Sequence, residues 1–115
     1  MLTLENLREY GADVDTGLSR CMNNEAFYLR MVNMAVDHEV FEKLDAAVDR
    51  GAVREIFEAA HALKGMVGNL SLTPLYEPAS EMTELARAGK DADYLAYRDG
   101  IRLQREKLLA LRDAS

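Results

Sequence analysis

From Val53 onward, apolar residues return every three or four positions: Val53, Ile56, Ala60, Leu63, Val67 and Leu70. At about 100° per residue these six gather on one stripe of a helix, which can enter a core. Between Ala52 and Lys64 there is no glycine or proline, and Ala, Glu, Arg and Phe favour the same structure. Ahead of it, Leu4 to Tyr10 predicts a short helix ended by Gly11, and Asp13 can cap a brief turn from Val14 to Cys21. Asn23 or Asn24 caps a longer helix from Glu25, with Phe27, Leu29, Met31, Val32, Met34 and Val36 as its apolar positions. Asp37-His38-Glu39 breaks that run, and Val40, Leu44, Ala47 and Val48 form another amphipathic stretch closed by Gly51.

Beyond the long helix, Thr73 as N-cap and Pro74 at the first helical position predict a new start. Pro78 would remove a hydrogen bond from a helix begun there, which moves the regular part to near Glu77. Met82, Leu85 and Ala86 supply its buried side, and Gly89 its end. Asp91 or Asp93 caps a last helix carrying Leu95, Ile101, Leu108 and Leu111, weakened in its middle by Gly100. Short loops between such segments imply antiparallel neighbours. The expected fold is all-α, an antiparallel up-and-down four-helix bundle with one or two short extra N-terminal helices, and residues 1–115 form one domain.

The anomaly lies in the last turns of the long helix. Each glycine in a helix interior costs about 1 kcal/mol relative to alanine, yet Gly65 and Gly68 stand three residues apart. His61 falls roughly 130° from the centre of the apolar stripe and so faces water, beside Arg54, Glu58 and Gly65. Side chains on a helix lean toward its N-terminus, so a larger residue at 65 would lie over the imidazole. Gly65 and Gly68 together clear the exposed face. Lys64, three residues after His61, can bring its ammonium to the cleared space, the alternative being a surface lysine or one paired with nearby acidic groups. An exposed imidazole, a neighbouring cation and room beside the ring suit a phosphoryl group carried on nitrogen, with the lysine as a point charge on the phosphate.

His61-Ala-Leu-Lys64-Gly65, followed by Asn69, resembles the core motif of histidine-containing phosphotransfer (HPt) domains. The resemblance covers most of the chain: Gly11 to Arg20 is similar to the family's usual opening, Phe27-Tyr28-Leu29-Arg30 to its second helix, and Leu85-Ala-Arg-Ala-Gly89 to the end of a later one. Many members have glycine ten residues after the histidine where this chain has Ser71. The resemblance implies a phosphorelay intermediate that accepts a phosphoryl group on His61 from a receiver-domain aspartate and passes it to another receiver. Its partners would be response-regulator receiver domains and a hybrid histidine kinase. The divalent metal would belong to the receiver, and this chain would need no cofactor.

Around that chemistry, Arg54, Phe57, Glu58, Gly68 and Asn69 are candidates for partner docking, with Phe57 one turn before His61 either tucked under another helix or supplying apolar contact. Methionines, six in all, are expected to fill the core, with Met66 close enough to the site to serve either purpose. His38, without a cation or glycine beside it, reads as a solvated loop residue.

Composition narrows the alternatives. A chain of 115 residues, 49% hydrophobic, can bury one modest core. A net charge of −6 and a pI near 4.9 argue against nucleic-acid binding. No stretch approaches the ~20 apolar residues of a membrane span, and the N-terminus lacks a secretory pattern. The single cysteine, Cys21, forms no internal disulfide, which fits the cytoplasm. Met1 and the length predict a free-standing protein, and a self-satisfied bundle predicts a monomer. Two histidines and one cysteine do not make a recognisable zinc set. No phosphate-cradling Gly-rich loop with Lys-Ser/Thr is present, so the chain is expected to be a phosphoryl carrier and not an ATP-dependent enzyme. Two other readings remain at this level: a silent scaffold of the same fold that binds a response regulator, and a helical metal- or ligand-binding bundle.

Overall fold

The computed structural model describes residues 1–114. Among these residues there are seven helices and no strand: α1 (Leu4–Tyr10), α2 (Val14–Arg20), α3 (Glu25–Val36), α4 (Val40–Arg50), α5 (Val53–Asn69), α6 (Thr73–Arg87) and α7 (Tyr94–Asp113). Side chains cap four of the starts. Thr3 and Asn6 form a reciprocal capping box on α1, while Asp13, Asn24 and Asp93 accept from backbone N–H groups in the first turns of α2, α3 and α7. Gly11 and Gly51 close α1 and α4 in the left-handed conformation.

Helix α5 packs against α4 and α6, and α7 closes a ring by lying between α6 and α4. Ion pairs fix the sense of the α4–α7 contact. Asp49 pairs with Arg98 (2.7 Å), Asp45 with Arg102 (3.2 Å) and Glu42 with Arg105 (3.5 Å), while Asp37, the C-cap of α3 just ahead of α4, pairs with Arg112 (2.7 Å). Numbers fall on one helix as they rise on the other, so the two run antiparallel. The same holds for α5 and α6, where Phe57 meets Arg87, Lys64 meets Glu84, and Gly68 meets Tyr76. Inside the ring, Leu44, Ile56, Leu63, Leu75, Met82, Ile101 and Leu108 are almost fully buried.

The N-terminal helices brace the far end of α5. Tyr28 on α3 donates its hydroxyl proton to the Leu70 carbonyl (2.8 Å), and the Asp13 N–H donates to the Ser71 carbonyl (2.9 Å). Gly17 on α2 is needed here. A Cβ on it would stand 2.5 Å from the Tyr28 ring and 2.9 Å from the Leu70 carbonyl oxygen. Ser71 turns the chain from α5 to α6 at φ 56°, a left-handed conformation that glycine adopts without strain.

Three expectations change. Helix α6 starts at Thr73, with Leu72 and not Thr73 in the cap position and no side-chain cap, and it runs unbroken through Pro78. Proline there forfeits one backbone bond, while the earlier start adds Leu75 to the buried line of Ala79, Met82, Thr83 and Ala86. On α3 the buried face is Tyr28, Val32, Ala35 and Val36, whereas Phe27 and Met34 are exposed, as is Leu95 on α7. Nor do the methionines fill the core: Met82 is buried, but Met1, Met22 and Met34 stand in solvent.

Candidate functional site

Helix α5 divides cleanly. Ile56, Ala59, Ala60, Leu63 and Val67 point into the ring, and Arg54, Glu58, His61, Ala62, Gly65 and Asn69 are exposed. The periodicity that buries one face therefore presents His61 on the other. The imidazole does not hang free. Its ring stacks on Phe57, one turn earlier, at 5.6 Å between centroids and 18° between planes. Phe57 itself is half-buried, and the Arg87 guanidinium from α6 lies 5.1 Å from its ring centroid. Of the two placements open for Phe57, the structure takes an intermediate one: half-buried, and in contact with both Arg87 and the histidine.

The two glycines have different surroundings. A Cβ at Gly65 would meet nothing within 4 Å, so the space one turn after His61 is open. Gly68 is not open. A Cβ there would come within 3.2 Å of the Tyr76 ring, and the Gly68 carbonyl accepts a hydrogen bond from Arg20. The expectation that both glycines clear the exposed face is corrected: Gly68 lets α6 approach, and only Gly65 leaves room beside the imidazole.

Lys64 has an acidic partner. Its ammonium pairs with Glu84 on α6 at 3.7 Å, and its side chain is largely covered, 26% exposed. Glu84 is shared, since its other carboxylate oxygen lies 3.5 Å from Arg87. Two cations from different helices are thus joined through one carboxylate, and one of them, Arg87, lies on the Phe57 ring that stacks on His61. Arg54 and Glu58 are exposed and pair with each other at 3.6 Å. Asn69, the last residue of α5, is exposed at the rim of a groove of about 390 Å³ between α3 and α5, lined by Met31, Met34, Ala35, Ala62, Met66 and Leu70. His38 is exposed, its Nδ1 accepting from the Val40 N–H (3.0 Å) at the entry to α4.

Sequence reasoning missed Glu84, Arg87 and the methionine-lined groove. Glu84 and Arg87 reach the site from a neighbouring helix, so no spacing within α5 points to them. The groove escapes sequence reasoning because α3 buries Tyr28, Val32, Ala35 and Val36, which leaves Met34 exposed and Met31 half-buried at its edge.

Among the described residues, no cluster of three or more His, Cys, Asp or Glu side chains is placed to hold a metal ion, and no helix is long and apolar enough to cross a membrane. Comparison with curated proteins and with solved structures gives no match. The sequence model of the Hpt domain matches residues 37–114, which takes in α4 to α7 with the His61 helix among them. Hpt domains are phosphocarriers of histidine phosphotransfer in phosphorelay signalling and interact with response-regulator receiver domains. With that match covering well over half of its length, the chain belongs to the Hpt domain family.

Proposed function

We propose that His61 is the phosphoacceptor, taking a phosphoryl group from the aspartyl phosphate of one receiver domain and passing it to the aspartate of another. A ring nitrogen, Nε2 by family analogy, attacks phosphorus as a neutral lone pair. The N–P bond forms while the aspartyl O–P bond breaks, and the electron pair leaves on the carboxylate. The second transfer is the same displacement in reverse, onto a new carboxylate. Such transfers depend on in-line placement and charge neutralisation more than on covalent help from the protein. The observation that carries the reading is the exposed imidazole, stacked on Phe57, with open space at Gly65.

Lys64 would contact the phosphoryl oxygens, and Gly65 would give clearance. Arg54, Phe57, Glu58 and Asn69 would meet the receiver, with the groove at Met31, Met34 and Met66 adding apolar contact. Gly68 serves that surface only through its packing on Tyr76. The receiver, on a hybrid histidine kinase or a response regulator, brings the acidic pocket and its divalent metal. The carrier itself needs no cofactor and works as a cytoplasmic monomer.

The test is transfer from a radiolabelled phospho-receiver to the wild type and to His61→Ala, followed by acid and base treatment. Label confined to the wild type, acid-labile and base-stable, is the expected result. A labelled His61→Ala protein would refute the assignment. Receiver binding with no transfer would show a scaffold instead of a carrier.

A further inference from the structure

We infer that Glu84 is a positioning residue for this chemistry: it holds Lys64 in the unloaded protein and yields it when a phosphoryl group arrives on His61. The inference rests on His61 being the phosphoacceptor. Its basis is the side-chain chain that joins α5 to α6. Lys64 Nζ stands 3.7 Å from one Glu84 oxygen, Arg87 Nε stands 3.5 Å from the other, Arg87 covers Phe57, and Phe57 stacks on His61.

Burial is uneven across the pair. The Lys64 side chain is 26% exposed and the Glu84 side chain 58%, so the lysine stem is packed while the carboxylate reaches into solvent. An ion pair of that exposure is weak and readily exchanged. A phosphoryl group on His61 places up to two negative charges one turn before the open space at Gly65, within the span that an i+3 lysine covers. One ammonium then has two competing anions. The phosphoryl group carries the greater charge and draws the ammonium away from the carboxylate, which leaves Glu84, of the same sign as the phosphate, with Arg87 as its remaining cation.

Glu84 therefore works against the loaded state. It neutralises the cation that the phosphate would use, and it makes the phosphoryl group easier to pass on. A relay intermediate gains from this, because its product must leave.

The measurement uses potassium phosphoramidate, a small phosphodonor that requires no receiver: its P–N bond breaks as the His61 N–P bond forms, and ammonia leaves. After removal of the donor, ³¹P NMR follows loss of phosphohistidine in the wild type, Glu84→Gln, Glu84→Asp, Lys64→Ala and the Lys64→Ala/Glu84→Gln pair. Glu84→Gln is expected to lengthen the lifetime roughly two- to fivefold, the range open to an exposed ion pair. Glu84→Asp stays near the wild type, Lys64→Ala shortens the lifetime, and Glu84→Gln has no effect in the Lys64→Ala background. A merely structural Glu84 would change the melting temperature and leave these lifetimes alone. An unchanged or shortened lifetime in Glu84→Gln overturns the inference while leaving His61 as acceptor. A gain that persists without Lys64 overturns the route through the lysine. Failure of the wild type to load, with His61→Ala equally silent, removes the assignment of His61 and this inference with it.

Discussion

A glycine retained for function inside a helix should be expensive for stability, and Gly65 allows that to be measured. It sits in the interior of α5, and a Cβ at this position would meet nothing within 4 Å. No packing reason for glycine exists, so Gly65→Ala gains the full helix-propensity difference of about 1 kcal/mol. With an unfolding entropy near 2.1 cal/mol/K per residue, a chain of this length should melt about 4 °C higher. Gly65→Gln gains slightly less, roughly 0.5–1 kcal/mol, but its side chain leans toward the N-terminus and lies across the His61 ring. Displacing an incoming phosphoryl group by about 1 Å is worth up to a hundredfold in rate, so transfer in Gly65→Gln should slow at least tenfold or so. Gly100→Ala is the control. It also lies in a helix interior with nothing within 4 Å of the new Cβ, but on α7. Its melting temperature should rise by the same few degrees, with transfer unchanged. Circular dichroism melts and single-turnover transfer from a phospho-receiver read both quantities on the same samples. A normal rate in Gly65→Gln would refute the steric argument, and a lower melting temperature in Gly65→Ala would show that the space is not open.

The bracing of α5 gives three further expectations. Gly17→Ala forces its Cβ against the Tyr28 ring and the Leu70 carbonyl; overpacking of about 1–3 kcal/mol outweighs the helix-propensity gain, and urea unfolding should show a net loss. Ser71→Gly relieves a left-handed serine at φ 56° and should stabilise by up to about 1 kcal/mol in the same assay. The Asp13 carboxylate is held below the usual range, first by the Thr16 hydroxyl and then by the Thr16 N–H at the start of α2. Its contribution is present above the ordinary carboxylate pKa of about 3.9 and is lost as pH falls through the lower folded value. Asp13→Asn, which can still cap, should leave stability at pH 7 nearly unchanged and flatten its decline below about pH 4; an unaltered acid limb would count against this linkage.

Periodicity within one helix was legible; relations between helices were not. The buried stripe of α5 followed from spacing alone, and so did the exposure of His61, because a helix with one apolar face has only one other direction to offer. The Asn24 and Asp93 caps were readable because the signal lies within three residues of its effect. Helix α6 broke the local rules. Its start is where Thr73-Pro74 signals it, but its passage through Pro78 is decided by burial of Leu75 against other helices, which outweighs one missing backbone bond. Tyr28 was hidden for a related reason: its place under Gly17 and against the Leu70 carbonyl is set by two distant segments.

The same limit explains the site. His61 and Gly65 depend on one helix, and their relation survives any packing of the others. Lys64 does not. Its partner is chosen by the antiparallel register of α5 and α6, and that register brings Glu84 beside Lys64, Arg87 beside Phe57 and Tyr76 beside Gly68. Gly68 bears on that close approach, because a Cβ there would come within 3.2 Å of the Tyr76 ring, which would have to shift by a few tenths of an ångström. The glycine pair thus separates two demands on one helix. Gly68 gives the Tyr76 ring of α6 room against α5, and Gly65, three residues earlier, keeps the space beside the imidazole clear.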